Sequence, residues 1–309
     1  MTDQGARANS DSATANQPDC TAHVTTPAMA PYRYRAPCER LYIYYLEGLA
    51  GPNGIDFGRR FIGNWEEDGY SFLFFSSPAT EDVRRFLATR PDLKLLDQYD
   101  MAYDDWQGGR FQGLRVGRLV IRPPWAEEPA SAAGDDVEML LDPGVVFGAG
   151  THTTTRDCLA ALEILSADNP GRRLLDLGTG TGVLAVAAAR LGWRRVLAVD
   201  FNLLAAKTAH HNVRLNDLDA RVLVVHGRAE QLVACQADVM VANLHYDVMR
   251  SLIRSEGFRQ SADWILSGLL RSQAREVEAF LAKTDVVIRR RWSRDNTWFT
   301  YLGTHRKRL

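Results

Sequence analysis

Cysteine is scarce in this chain. Cys20, Cys38, Cys158 and Cys235 are all there are, and no two form a C-x-x-C pair. No metal site is therefore expected, and Cys158 and Cys235, beside apolar runs, read as buried free thiols suited to a reducing cytoplasm. Long apolar runs are also missing: nothing approaches the roughly 20 residues that span a bilayer, so no membrane partner is expected. The opening segment, 1–37, lacks the apolar centre of a signal peptide and the arginine-rich amphipathic pattern of a transit peptide. It reads as a disordered leader rich in Ala, Thr, Ser and Asn, and the location as cytoplasmic. Excess charge is absent too: 37 Lys and Arg against 38 Asp and Glu leave −1. That offers a polyanion no long-range attraction, so direct nucleic-acid binding is not expected.

What is present is an ordinary globular composition over 309 residues, long enough for two domains. Leu41, Ile43 and Tyr45 alternate with Tyr42, Tyr44 and Leu46 in a strand-like run, and 71–75 reads as a second strand. Thr80 stands where it can cap a helix over 81–89, ended by Arg90-Pro91. An extended pattern resumes at 93–96. Residues 38–100 thus read as a small α+β unit, ferredoxin-like in outline. A linker follows at 101–137, with a short helix and a β ribbon over 105–125 and an exposed acidic loop over 127–136.

The remaining residues, 138–309, change pattern. Apolar runs at 174–177, 196–199, 222–225, 239–242 and 264–266 alternate with helical segments at 183–191, 203–215, up to 233, and 247–256. A helix at 271–282 and strands at 286–292 and 298–302 complete the chain. Alternation of this kind predicts an α/β domain with a parallel sheet covered on both faces, its last two strands antiparallel.

Asp176-Leu177-Gly178-Thr179-Gly180-Thr181-Gly182 falls where the first of these strands turns into its helix. Glycines there let backbone approach a ligand closely. A nicotinamide fingerprint, G-x-G-x-x-G, would need glycine where Val183 stands. The D-x-G-x-G-x-G form instead resembles the first motif of class I methyltransferases, which implies a Rossmann-like sheet and S-adenosylmethionine as cofactor. Asp200 ends the next strand about twenty residues on, where a carboxylate accepts ribose hydroxyls, and the strand reaching Ala242 ends at Asn243. The bland alternative is a glycine turn without ligand, with Asp200 capping a helix.

About twenty residues before the turn, Asp142-Pro143-Gly144-Val145-Val146-Phe147-Gly148-Ala149-Gly150-Thr151-His152-Thr153-Thr154-Thr155 runs into a helix. It resembles the D-P-G-x-x-F-G-T-G-T-H-x-T-T signature of the PrmA family, bacterial methyltransferases that trimethylate the ribosomal stalk-base protein L-eleven. Ser267-Gly268-Leu269-Leu270 is similar to that family's S-G-I-L, and Trp106, Gly117-Arg118-Leu119 and Pro123 to Trp125 fit its linker. The resemblance implies that Thr155, Gly178, Gly180, Asp200 and Asn243 contact the cofactor, with Phe147, Gly148 and Thr151 in the loop around it. It also implies a small N-terminal domain that recognises the protein substrate.

Ala149 and Thr153 depart mildly from the signature. Leu244-His245-Tyr246 departs more, because the family has small apolar residues there. Asn243 is expected to bind an acceptor amine or orient the cofactor. Tyr246 is expected to wall the methyl channel, an Asn-x-x-Tyr spacing that echoes N-P-P-Y without its prolines; packing onto the next helix is the competing role. His152 reads as a helix-start residue, His245 as a proton acceptor or a solvated loop residue, and Trp106, Trp125 and Trp298 as packing. The expected function is protein N-methylation at lysine or α-amino groups of a large-subunit ribosomal protein. Its rivals are methylation of another protein or small molecule, and a non-catalytic module that senses S-adenosylmethionine.

Overall fold

Strand β1 (Arg40–Glu47) is apolar on both faces, and the fold uses both. It lies inside an antiparallel sheet with β2 (Phe61–Glu67), β3 (Tyr70–Phe75) and, after helix α1 (Thr80–Ala88), β4 (Lys94–Ala102), in the order β2-β3-β1-β4. Tyr44 and Leu46 point one way and join Leu73, Phe75 and Val83 of α1 in one apolar cluster. Leu41 and Ile43 point the other way, joining Phe74, Val145, Val146, Leu204 and Ala205. The small sheet is thus sandwiched between its own helix and the rest of the chain.

The computed structural model describes residues 38–51, 57–126, 134–146, 148–168 and 172–306, all within one unit, Tyr34–Leu309. The leader expected over 1–37 and most of the acidic loop lie outside them.

The sequence pattern misses β2, because Gly63 and Asn64 interrupt its apolar alternation. Gly63 makes room for α5: a Cβ there would lie 2.5 Å from Leu204 Cδ1 and push that side chain aside. β4 runs well past the expected 93–96, because it is an edge strand whose Asp97, Gln98 and Asp100 face solvent and guard that edge. Thr80 is the first helical residue and not the cap; its hydroxyl meets the Tyr44 hydroxyl at 3.0 Å. Between β1 and β2 the described residues hold a three-residue 3-10 turn, Gly58–Arg60, where a ferredoxin-like outline has a helix.

A second, three-stranded sheet follows helix α2 (Tyr103–Trp106). It is made of β5 (Leu114–Val116), β6 (Leu119–Arg122) and β7 (Val137–Leu140). The β5–β6 ribbon was legible in sequence; β7, which pairs parallel to β6, was not.

The remaining elements alternate: α3 (Thr153–Asp168), β8 (Arg173–Leu177), α4 (Val183–Arg190), β9 (Arg195–Asp200), α5 (Leu203–Leu215), β10 (Val222–His226), α6 (Ala229–Leu232), β11 (Val239–Asn243), α7 (Tyr246–Leu252), α8 (Glu256–Gln260), β12 (Asp263–Leu270), α9 (Arg271–Leu281), β13 (Val286–Arg294) and β14 (Trp298–His305). They form a seven-stranded sheet in the order β10-β9-β8-β11-β12-β14-β13. The first five strands are parallel, and β14 is antiparallel to both neighbours. Leu174 enters the core on one face and Leu175 the core on the other. That is why these strands read as continuous apolar runs.

Two expectations need correction. The helix expected over 247–256 is two helices, because the Ser255 hydroxyl accepts from Phe258 N–H and starts a new one. Cys235 is exposed, in the connection between α6 and β11, whereas Cys158 is buried in α3.

Candidate active site

The sheet reverses strand order between β8 and β11, opening a crevice at their carboxyl ends where α/β folds bind ligands. Gly178 turns there at φ +73, and a Cβ on it would lie 2.0 Å from Leu244 Cδ2. A side chain there would be strained by the positive φ and would have to displace that leucine. The Gly178 and Thr179 N–H groups donate to Val199 O at 2.8 and 2.9 Å, tying the turn to β9.

Two carboxyls flank the turn. Asp176 is fully buried beneath it and accepts the Thr179 hydroxyl at 2.6 Å; burial pushes its pKa up to about 7. Asp200 accepts from Gly180 N–H at 2.9 Å on one oxygen and from Asn202 N–H at 2.9 Å on the other. Burial raises its pKa too, against these backbone donors. Helix α5 is capped by Asn202, whose side chain accepts from Leu204 and Ala205 N–H, so capping does not account for Asp200. An ionised carboxylate offers about four lone-pair directions, and two of those on Asp200 remain for a ligand.

The loop from Asp142 to Thr155 is clamped over this turn by residues the sequence analysis did not single out. Asn212 of α5, with no exposed surface, accepts Asp142 N–H and donates to Asp142 O and Thr181 O, each at 2.8 Å. One helical turn on, Asn216 brackets Leu140 in the same way. Two asparagines at i and i+4 in the buried stripe of an amphipathic helix were the available signal, since buried amides need partners. Thr181 donates to Gly148 O at 2.6 Å. From the small-sheet side, Tyr103 and Gln107 donate to Gly144 O and Trp106 donates to Val145 O. Trp106 also meets Phe74 edge-on, so it packs as expected.

Of the expected site residues, the structure brings Gly148, Gly178, Gly180, Asp200, Asn243 and Thr155 to one crevice. Asn243 Nδ2 points to the buried Thr155 Oγ1 at 3.5 Å, leaving its side-chain oxygen as an acceptor. Thr151 is exposed in the loop before α3, and Phe147 lies outside the described residues. His152 holds the helix start: its Nδ1 lies 2.7 Å from Thr154 Oγ1, and its ring packs edge-on against Trp298. His245 is exposed beside Asp247.

Tyr246 is a correction. Its hydroxyl donates to Glu276 of α9 and its ring packs against the outer core of the larger sheet. The turn into α7 aims it away from the crevice, and Leu244 is the residue over the glycine turn.

A doubly wound sheet with this strand order, a carboxylate-flanked glycine turn and a clamped loop beside the switch point defines a Rossmann-like methyltransferase fold. The chain belongs to the ribosomal protein L11 methyltransferase (PrmA) family, whose sequence model matches residues 85–306. It is 38% identical over 199 residues to the ribosomal protein L11 methyltransferase of Desulfitobacterium hafniense, covering 60% of this chain and 62% of that one. With the protein of the same name from Pelotomaculum thermopropionicum it shares 43% identity over 150 residues, 47% of each chain. The crystal structure of ribosomal protein L11 methylase from Lactobacillus delbrueckii subsp. bulgaricus superposes with a TM-score of 0.55 and 27% identity, over 63% of this chain and 100% of that one. The chain therefore matches less than two thirds of the length of these curated relatives, and β1 to β3 lie outside the family match.

Proposed function

We propose that this chain is an S-adenosylmethionine-dependent protein N-methyltransferase acting on lysine or α-amino groups of a ribosomal protein of the L11 kind. The observation that carries the reading is the crevice itself: Asp200, the glycine turn and the Asn243–Thr155 pair meet at one end of the sheet. The described residues fit the cofactor, since Asp200 keeps acceptor capacity for a ribose beside the glycine turn. Bound there, the cofactor supplies an electrophilic methyl group on a sulfonium.

The chain's own residues do the rest. Asp200 fixes the ribose, and Gly180 N–H fixes Asp200. Gly148 and Thr151 belong to the loop held beside the turn by Thr181 and Asn212. Asn243, its amide nitrogen turned to Thr155, keeps its oxygen free to accept from an incoming amine and would hold that amine in place for transfer. A lysine must arrive neutral, which from a reference pKa near 10.4 costs about 4 to 5 kcal/mol at pH 7. Leu244 and the clamped loop exclude water around it, and desolvation lowers that cost. The small sheet, Arg40–Ala102, is the part we assign to acceptor recognition, with a boundary near residue 100.

Incubation of the full chain with labelled S-adenosylmethionine and isolated large-subunit proteins, followed by mass spectrometry, tests this. Mass gained by L11 in methyl steps supports the reading. Label on another acceptor overturns the substrate, and cofactor binding without any transfer overturns the enzymatic assignment.

A further inference from the structure

A groove of about 270 Å³ runs between α7 and α9 on the outer face of the larger sheet. Tyr246 and Arg250 of α7, with Arg254 in the turn after it, line one wall, and Glu276 and Phe280 of α9, with Lys283 in the turn after it, line the other. Its floor is apolar, with Ile253 and Val277 buried. The Arg254 guanidinium lies 5.0 Å over the Phe280 ring. The groove's one carboxylate, Glu276, is already engaged by the Tyr246 hydroxyl.

The three cations are exposed, and among the described residues no acidic side chain forms an ion pair with Arg250, Arg254 or Lys283. Nearby arginines differ: Arg291 pairs with Glu278 and Arg294 with Asp157. Three exposed cations without an ion-pair partner among the described residues, around an apolar floor in a chain of net charge −1, make a local feature and not a general basic surface.

We propose that this groove docks a short segment of the protein acceptor in which acidic and apolar side chains alternate. Carboxylates meet Arg250, Arg254 and Lys283, and an apolar side chain covers Phe280 and Val277. A nucleic acid fits less well. Its phosphates leave the apolar floor unused. The inference rests on the protein-methyltransferase reading and extends it to a second contact outside the crevice.

The test uses the full chain and R250E/R254E, two surface positions outside the catalytic constellation. In fluorescence anisotropy, a labelled eight-residue peptide of alternating Glu and Leu should bind the unmodified chain. Binding should weaken at least tenfold in the variant and also with rising salt, and a Lys–Leu peptide should show the reverse preference. In steady-state transfer to L11, the variant should raise KM at least fivefold, with kcat and S-adenosylmethionine affinity unchanged. Equal peptide binding by both proteins overturns the proposal, as does tighter binding of a single-stranded RNA of equal charge that R250E/R254E abolishes. Absence of transfer to L11 by the unmodified chain counts against the proposed function alone, because the peptide measurement judges the groove independently.

Discussion

Asp176 gives the sharpest physical prediction. It is fully buried under the glycine turn, and burial raises its pKa from 3.8 to about 7. The folded state thus holds this proton more tightly than the unfolded chain does. The stability linked to it is complete below about pH 4 and is lost as pH rises through 7. About three pH units correspond to about 4 kcal/mol in all, of which roughly 2.5 kcal/mol falls between pH 5 and pH 8. Asp176→Asn keeps an acceptor for the Thr179 hydroxyl and removes the charge. Urea unfolding of both proteins without cofactor should show the unmodified chain losing about 2 to 3 kcal/mol more than the variant from pH 5 to pH 8. Equal losses would refute the argument that burial of a carboxyl controls this turn.

Three further outcomes are expected. Asp200→Ala should weaken S-adenosylmethionine binding by about 1 to 3 kcal/mol in calorimetry, through lost charged hydrogen bonds; unchanged affinity removes the ribose assignment. Asn212→Ala, deleting three buried hydrogen bonds that hold Asp142 and Thr181, should cost about 3 kcal/mol in urea unfolding; a loss under about 1 kcal/mol means the loop is clamped elsewhere. Gly178→Ala should destabilise by at least about 2 kcal/mol, from positive φ and the clash with Leu244, and adding Leu244→Ala should recover part of it. A double variant no more stable than the single one shows that contact with Leu244 is not the cause.

The Asp176–Gly182 turn, Asp200, Asn243 and the 142–155 loop were legible in the sequence, because their chemistry depends on residue type at short, fixed spacing. The parallel strands were legible for a related reason: a strand buried on both faces has to be apolar throughout. Other features depend on partners distant in sequence. β2 is broken by Gly63, whose reason is Leu204 on another element. β7 pairs with β6 from across the acidic loop. Both have local patterns that conceal contacts made elsewhere.

Side-chain direction belongs to the second group. Asn-x-x-Tyr gives the spacing between Asn243 and Tyr246, but the start of α7 between them decides where the ring points, and it points to Glu276. Asn212 and Asn216 look like ordinary helix residues until β7 and its following loop arrive to be bridged. By itself the sequence determined the fold class and marked the residues that gather at the end of the sheet, since close approach and charge are properties of single residues at set intervals. Only the tertiary structure decided which loop closes on the turn, which residue covers it and which surface is left with unpaired cations, because each depends on elements that meet only when the chain is folded.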